Sequence, residues 1–342
     1  MAIKALSPRS YGPEVGLRPN TKLNRWQVHF IFNSGGMGDF INYTAATTWL
    51  AKNAPWCEPN LFVPAYILPL MRYIHRDTHW NVFPGEEFRA HFSDGDRIIG
   101  PDVLIRGNNV SPQFLTCTGA HPIDVGFAYY AGMTPAPVDG LLPTLNYKPS
   151  GLPRELKGKA YVVIPTGNVH EVRATGGRHI NPIIDHLKCR GILPVFLGKN
   201  DLLGNGIRTT RFPDDVNYGD GLDLRNKTTV LEAACILQHA VCTVGLDCGL
   251  LHLSALMKDS KLIFGYNITS VAHREPRRNH GCHINIALTE EDLKCSGCQS
   301  KIRMITGHQF DKCIYGDNLC VDLLFKNNSA RWTAAIDQFL EA

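Results

Sequence analysis

Short apolar segments alternate with amphipathic ones through the second half of the chain, and this alternation constrains the fold more than any other feature of the sequence. Helical patterns occupy 181–191, 228–240 and 249–259, and the spacing of Thr229 and Glu232 predicts a capping box at the start of the second. Strands that alternate with helices predict a parallel sheet with helices on its faces. The segments with the length and composition of buried strands are AYVVIP (160–165), ILPVFLG (192–198), VCTVG (241–245) and KLIFGY (261–266).

The first half of the chain carries the same pattern less regularly. A Pro-rich stretch, 134–159, then interrupts regular structure repeatedly, because proline cannot donate a hydrogen bond to a helix or a sheet. A chain of 342 residues is long for a single core, so this stretch indicates a domain boundary. Before it, the sequence predicts a helix at 44–54 and strands at 27–33, 61–67, 97–100 and 102–107.

The predicted organisation has four parts. An N-terminal arm (1–26) precedes a Rossmann-like α/β domain at 27–150. A second Rossmann-like domain at 151–328 includes a cysteine cluster at 295–320, and an amphipathic helix ends the chain at 329–342.

The composition is that of a globular protein. Hydrophobic residues make up 44% of the chain and charged residues 19%, which separates it from disordered chains. The net charge of +4 permits a phosphorylated partner without indicating a dedicated nucleic-acid binder. No apolar run reaches the roughly 18–20 residues of a membrane span, and the N-terminus lacks the apolar segment of a signal peptide. We therefore expect a cytoplasmic protein, in which the eleven cysteines are thiols or metal ligands rather than disulfides.

Two glycine-containing turns follow predicted strands. GGMGDF (35–40) follows WQVHFIFNS, and Asp247-Cys248-Gly249 follows VCTVGL at the start of a helix that carries His252. Ligands of open parallel sheets bind at such strand ends. The start of the helix offers N–H groups and a positive dipole end to a phosphate, and Gly249 permits close approach to the backbone. The second turn therefore predicts a phosphate-containing ligand.

The segment DLRNKTTVLEAACILQHAVCTVGLDCGLLHLSALM resembles the core signature of glycosyltransferase family 9, the heptosyltransferase group, in order and spacing. The resemblance covers about a tenth of the chain. GGMGDFI resembles the same family's first turn, in which Gly-Asp and two apolar residues precede a helix. The resemblance places the family's proposed catalytic base at Asp39 and puts Gly36 and Gly38 in the acceptor-side loop.

The resemblance also implies a donor-binding set. Thr166 and Gly167 follow a strand in the turn that lines the donor phosphates, and Arg178 takes the place of a phosphate-binding Lys or Arg. Asp201, in FLGKND, corresponds to a nucleoside contact. The sequence departs from the family at three positions. Cys248 stands where Thr or Ser is usual, so a hydroxyl is lost there. Ile180 stands where Trp is usual, and Asn226 stands where Gly is usual. The implied set is Thr166, Gly167, Arg178, Asp201, Asp247, Cys248, Gly249 and His252.

Four cysteines near the C-terminus have the spacing of metal ligands. Cys295 and Cys298 form a C-x2-C pair, and Cys313 and Cys320 follow at a C-x6-C spacing. Four thiolates suit tetrahedral Zn²⁺ or iron, and many members of the resembled family carry a comparable cluster with a shorter middle spacing. The sequence predicts a structural metal there, and ordinary buried thiols are the alternative. A site saturated by four sulfurs has no open position, so no catalytic metal is expected.

The resemblance implies a B-type glycosyltransferase fold, in which two Rossmann-like domains face a central cleft and the helix at 329–342 packs back onto the first domain. It implies an inverting transfer of a heptose or related sugar from a nucleotide diphosphate sugar, ADP-linked in the closest members, to a hydroxyl of a lipopolysaccharide core, a glycan or a protein. Alternatives are a viral-type sugar transferase acting on a DNA base hydroxyl and a non-catalytic nucleotide- or glycan-binding protein on the same fold. The cysteines alone would suit a zinc-ribbon nucleic-acid binder, against which the absence of a basic run argues.

Overall fold

The structure is a computed structural model of the chain, which divides into two compact units. One unit contains Met1–Thr116 and Ala120–Pro143, and the other contains Cys117–Gly119 and Thr144–Ala342. The predicted domain boundaries and the predicted cleft remain predictions. The residues described are 18–20, 25–31, 36–53, 57–87, 121–131, 133, 135–148, 151–167, 173–200, 212–298, 313, 319–326 and 329–341.

The described part of the first unit contains a four-stranded sheet in the order β1-β2-β3-β4. The first pair of strands is antiparallel, and the other pairs are parallel. The strands are β1 (Arg18–Asn20), β2 (Arg25–Ile31), β3 (Cys57–Val63) and β4 (Asn81–Pro84), and the helices are α1 (Met37–Asn53), α2 (Leu68–Ile74) and α3 (Pro122–Ala131).

Helix α1 is longer than the predicted helix at 44–54 and starts within the Gly-Asp turn. The carbonyl of Gly36 accepts hydrogen bonds from the amides of Asp39 (3.0 Å) and Phe40 (3.2 Å). The helix packs closely on α3, because a Cβ atom at Gly126 would lie 3.2 Å from the Cα atom of Tyr43. Residues 40–47 of α1 are all buried, so this stretch lacks the polar face by which a surface helix is found in a sequence.

The predicted strand at 61–67 is wrong in its second half. Strand β3 ends at Val63, and a turn leads from Pro64 into α2, whose first turn contains Pro69. Proline suits the first turn of a helix, where an amide has no helical acceptor in any case. The strands predicted at 97–100 and 102–107 lie outside the described residues.

The second unit contains a six-stranded parallel sheet in the order β10-β9-β8-β5-β6-β7. The strands are β5 (Tyr161–Pro165), β6 (Leu193–Leu197), β7 (Leu222–Asp223), β8 (Cys242–Leu246), β9 (Lys261–Tyr266) and β10 (Cys282–Ala287). The helices are α4 (Gly177–Cys189), α5 (Val230–His239), α6 (Gly249–Ala255), α7 (Val271–Arg274), α8 (Leu319–Lys326) and α9 (Ser329–Glu341). The predicted α/β class with parallel sheets is confirmed.

The strand order reverses at β5. The chain first extends the sheet on one side of β5 through β6 and β7, and it then crosses to the other side for β8, β9 and β10. A crevice forms at the carboxyl ends of the two strands that flank such a reversal, here β5 and β8, because their connections leave in opposite directions. The fold therefore places the residues after Pro165 and Leu246 at the expected position of a ligand.

The ends of the helices follow local rules. At the start of α5 the amide of Glu232 donates to the hydroxyl oxygen of Thr229 (3.2 Å), and the Glu232 carboxylate accepts the Thr229 amide (2.7 Å). The predicted capping box is thus confirmed. Helix α4 begins at Gly177, four residues before the predicted start, and Pro182 lies inside it.

The last helix packs within the second unit. Trp332 is buried and stacks on Phe325 of α8, with ring centroids 4.8 Å apart. A Cβ atom at Gly265 of β9 would lie 2.7 Å from the indole of Trp332, so the close contact requires glycine there. The predicted return of this helix to the first unit remains a prediction. Across the described ranges, no helix combines the length and the apolar character needed to cross a membrane.

Candidate active site

The carboxyl ends of β5 and β8 place two predicted loops side by side in the second unit. Thr166 and Gly167 follow β5, and Asp247 and Cys248 follow β8, whose neighbour in the sheet is β5. The strand reversal thus brings together residues about 80 positions apart in the sequence. Both loops belong to the donor-binding set that the resemblance implies, and their role in donor binding remains a prediction.

Asp247 is the centre of a buried polar network. Its Oδ1 atom accepts a hydrogen bond from Nε2 of His252 (2.9 Å), which lies on α6. Its Oδ2 atom accepts a hydrogen bond from the Thr269 hydroxyl (3.3 Å) and faces Nη1 of Arg173 at 3.5 Å and Nε of Arg274 at 3.9 Å. The Asp247 side chain is 3% exposed. Four side chains from three separate segments therefore converge on one carboxylate.

The charges in this network favour an ionised Asp247. Burial opposes ionisation, but Arg173, the hydrogen bond from His252 and the charge of Arg274 together hold the pKa of Asp247 well below its usual range. Two guanidinium groups thus lie at the strand ends beside Asp247. Arginine side chains at such a position are suited to bind an anionic ligand.

Arg173 and Arg178 occupy different environments. Arg173 is 14% exposed, and it donates from Nη1 to the carbonyl oxygen of Asp247 (3.2 Å) as well as facing its carboxylate. Arg178 is 72% exposed and pairs with Asp322 of α8 at 2.7 Å, on the carboxylate oxygen that also contacts His179. The structure therefore places Arg173, and not Arg178, in the Asp247 network. The predicted phosphate-binding role of Arg178 remains a prediction.

The turn after β5 is tightly built. The Leu197 carbonyl accepts both the amide (2.8 Å) and the hydroxyl (3.1 Å) of Thr166. Gly167 has a φ of 90°, a conformation that L side chains rarely adopt. Gly198 packs so closely that an added Cβ would lie 2.3 Å from the Thr166 carbonyl oxygen. The loop that contains Asp201 lies outside the described residues.

Cys248 and Gly249 form the start of α6. Cys248 is the N-cap residue in an extended conformation (φ −152°, ψ 164°), and Gly249 is the first helical residue. Desolvation is the main cause that raises the pKa of the Cys248 thiol to about 11, so the thiol is neutral at pH 7. The substitution of cysteine for the family's hydroxyl residue adds no charge at this position.

Asp39 lies in the first turn of α1 in the other unit. Its Oδ2 atom accepts a hydrogen bond from the amide of Gly36 (3.0 Å), which is a helix-capping interaction. Burial is the main cause that raises the pKa of Tyr66 above its ordinary value, and the charge of Asp39 adds to this rise. The carbonyl of Gly38, in the same turn, accepts a hydrogen bond from the side-chain Nδ2 of Asn42 (2.7 Å). The Asp39 carboxylate is therefore oriented by its own turn.

The four predicted metal ligands lie in a common neighbourhood. Burial is the main cause that raises the pKa of Cys320 to about 11, and Cys298, Cys313 and Cys295 interact electrostatically with it. Asn267 donates from Nδ2 toward the Cys320 sulfur at 3.7 Å. Within the residues that the structure describes, no three His, Cys, Asp or Glu side chains form a group that could hold a metal ion.

Comparisons with solved structures identify the fold. The chain is similar to TibC of enterotoxigenic E. coli H10407, an iron-containing dodecameric glycosyltransferase, with a TM-score of 0.65, 16% identity, and coverage of 92% of this chain and 76% of TibC. It is also similar to a family 9 glycosyltransferase of Veillonella parvula DSM 2008 (TM-score 0.57, 12% identity, coverage 92% and 97%). A third similar structure is the E. coli ADP-heptose lipopolysaccharide heptosyltransferase II (TM-score 0.57, 16% identity, coverage 92% and 100%).

The chain has the fold of glycosyltransferase family 9. No family model and no curated protein sequence matches the chain. The family 9 fold is therefore recognisable from the structure and from short motifs, at sequence identities of 12–16%.

Sequence reasoning missed three residues of the Asp247 network, which are Arg173, Thr269 and Arg274. Arg173 precedes the helix of the family 9 fold that was expected to supply the cation, and Arg274 follows β9 on the short helix α7. A signal for Arg173 was present, since HEVRATGGRH (170–179) carries two arginines, Arg173 before α4 and Arg178 in its first turn. Arg274 had no such signal, because only the sheet brings the end of β9 beside the end of β8.

Proposed function

We propose that the protein is a glycosyltransferase that takes its sugar from a nucleotide diphosphate sugar. The observation that carries the proposal is the buried Asp247 network at the strand reversal, where Arg173 and Arg274 face a single carboxylate. A diphosphate is the anion that such a site would hold, since glycine-containing turns at Gly167 and Gly249 permit close approach to the backbone. TibC in complex with ADP-D-β-D-heptose has the same fold as this chain (TM-score 0.64), so ADP-heptose is the first donor to test.

In the proposed donor site Asp247 has a positioning role. Its carboxylate orients Arg173, Arg274 and His252 rather than touching the anion, because like charges repel. The guanidinium groups stabilise the negative charge that develops on the leaving nucleoside diphosphate as the glycosidic bond breaks. Arg178 lies on a surface ion pair, so we expect it to contribute less than Arg173 to donor binding.

Asp39 is the proposed general base. The Gly36 amide fixes one oxygen of its carboxylate, which orients the group at the start of α1. In the proposed reaction Asp39 removes the proton from the acceptor hydroxyl as the oxygen attacks the anomeric carbon, and the nucleoside diphosphate departs from the opposite face, with inversion. General base catalysis of this kind contributes about 10²–10⁴-fold. Exclusion of water from the site would suppress hydrolysis of the donor.

The acceptor is a hydroxyl-bearing molecule, which we propose to be a lipopolysaccharide core sugar, another glycan or a protein. A DNA base hydroxyl is a less favoured acceptor, because the chain has no basic run to follow a phosphate backbone. A second function has a specific observation in its favour. The hydrogen bond from the Gly36 amide to Asp39 caps α1, and this structural role is enough to explain the presence of a carboxylate at position 39. The same observation would therefore suit a non-catalytic nucleotide-sugar-binding protein of the same fold.

A structural metal is proposed at the cysteine cluster. The chemistry of the donor set supports it, because four cysteine thiols in two short-spaced pairs are typical ligands of tetrahedral zinc and iron sites. TibC is described as iron-containing, so we propose iron or zinc held by Cys295, Cys298, Cys313 and Cys320. The bound ion would supply folding energy by joining segments that are distant in sequence.

Consumption of the donor tests the proposal. Purified protein is incubated with ADP-heptose, UDP-glucose or GDP-mannose, and release of the nucleoside diphosphate is measured with and without a candidate acceptor. The glycosyltransferase proposal expects one donor to be consumed, slowly alone and faster with an acceptor. A donor that binds and is never consumed with any acceptor supports the non-catalytic function instead.

A further inference from the structure

The loop after β9 contacts both the cysteine cluster and the Asp247 network. This loop, which we call the β9 loop, comprises residues 267–270 and leads into α7. Its first residue, Asn267, is 1% exposed and donates toward the sulfur of Cys320. Its third residue, Thr269, donates to Oδ2 of Asp247. The two contacts are separated by one residue.

The Cys295-Ser-Gly-Cys298 turn fixes the same loop from its other side. The amide of Gly297 donates to the carbonyl of Asn267 (3.1 Å). Gly297 has a φ of 64°, and a Cβ atom built there would lie 3.5 Å from the Cβ atom of Ser270. Both pairs of the cluster therefore touch the β9 loop, one through Cys320 and the other through Gly297.

The loop also sets the position of an arginine. Ser270 is the N-cap residue of α7, and its carbonyl accepts the amides of His273 and Arg274. Arg274, 9% exposed, reaches Oδ2 of Asp247. Both Thr269 and Arg274 contact this one oxygen, so a shift of the loop changes two of its contacts together.

We propose that the cysteine cluster positions Asp247 through the β9 loop, so that donor affinity depends on the state of the cluster. Asn267 and Thr269 are then positioning residues, which act on the donor through Asp247. The inference rests on the proposed donor site and differs from a purely stabilising role, which would leave donor affinity unchanged in the folded protein. Coupling between two sites is reciprocal, so a ligand at the donor site must also stabilise the cluster.

The first measurement uses protein without ligand. The imidazole resonances of ¹⁵N-histidine-labelled protein are recorded for wild type, Asn267→Ala, Thr269→Val and Thr269→Ser, with His252 assigned from His252→Gln. We expect the His252 signal to shift in Asn267→Ala and Thr269→Val and to stay near its wild-type position in Thr269→Ser, which keeps the hydroxyl. A His252 signal unchanged by Asn267→Ala overturns the coupling, whether or not any nucleotide binds.

The second measurement is calorimetric titration with ADP. Asn267→Ala and Thr269→Val should weaken ADP binding by at least ~5-fold, which is within the usual range of coupling between sites. Thr269→Ser, which keeps the hydroxyl, should bind ADP with wild-type affinity. Ile184→Val, at a fully buried position of α4, controls for lost stability and should lower the melting temperature without changing ADP affinity. Equal ADP affinity in wild type and Asn267→Ala contradicts the coupling. If the wild type binds no ADP, the proposed function is contradicted, and the histidine resonances alone decide the coupling.

Discussion

The Nε2 atom of His252 lies 2.9 Å from Oδ1 of Asp247, and both side chains are almost fully buried. The two residues are five positions apart, one at the end of β8 and the other in α6, so the bond ties the strand end to the helix. It also leaves Oδ2 to Thr269, Arg173 and Arg274. The histidine thereby fixes which oxygen of the carboxylate faces the arginines.

This bond predicts a difference between two substitutions at His252. His252→Ala should weaken ADP binding by about 10-fold, because it leaves a buried carboxylate without one of its hydrogen-bond donors. His252→Gln keeps a donor near the position of Nε2 and should weaken binding by no more than about 3-fold. Titration of both variants checks the prediction, and equal losses would show that the hydrogen bond is not what the imidazole contributes.

Asp39→Asn should reduce turnover by at least ~100-fold while leaving ADP affinity unchanged. The amide oxygen of asparagine still accepts the Gly36 amide, so the cap of α1 is kept and only basicity is lost. Turnover with a verified acceptor is the measurement, and circular dichroism verifies the fold. Near-wild-type turnover of the variant would remove Asp39 from the role of base.

The proposed metal site predicts the metal content of the purified protein. Protein purified without added metal or nickel resin should contain about one iron or zinc ion per chain, and Cys298→Ser should lose it and melt at a lower temperature, because metal binding here adds to folding energy. Elemental analysis and thermal melting check this. If all four thiols of the folded wild type titrate freely and no metal is found, the cluster is a group of ordinary thiols.

The Asp247 network predicts a pH dependence of stability. The folded pKa of Asp247 is below its ordinary value of 3.8, so the unfolded chain takes up the proton first as pH falls. The stabilisation is therefore fully present above about pH 5 and declines progressively below about pH 4, as the pH falls toward the folded pKa. Asp247→Asn removes the carboxylate that two buried arginines face, which costs about 3–5 kcal/mol at pH 7. Denaturant unfolding should show that the difference in unfolding free energy between wild type and Asp247→Asn is smaller at pH 3 than at pH 7. A difference that is constant or larger at pH 3 contradicts the assignment.

The sequence predicted some elements and site residues and missed others, and the difference has physical causes. Strand periodicity placed β5, β6, β8 and β9 closely, because a buried parallel strand is a short apolar run with clear ends. It did not find the two-residue strand β7. It did not find α1 in full, because that helix is buried on almost every side. Likewise, local motifs located Asp247 and His252, which are neighbours in sequence. Arg274 and Thr269 reach Asp247 only because β9 pairs with β8, which no local pattern records.

The central claim is that the second unit binds a nucleoside diphosphate at the Asp247 network. Calorimetric titration of ADP into wild type, Arg173→Ala and Arg178→Ala tests it most directly, since the two arginines lie five residues apart but only Arg173 contacts Asp247. We predict one ADP per wild-type chain, a loss of at least ~30-fold in Arg173→Ala, as for a buried charged contact, and a change under ~3-fold in Arg178→Ala, as for an exposed ion pair. Unchanged affinity in Arg173→Ala, or a large loss confined to Arg178→Ala, would contradict the account.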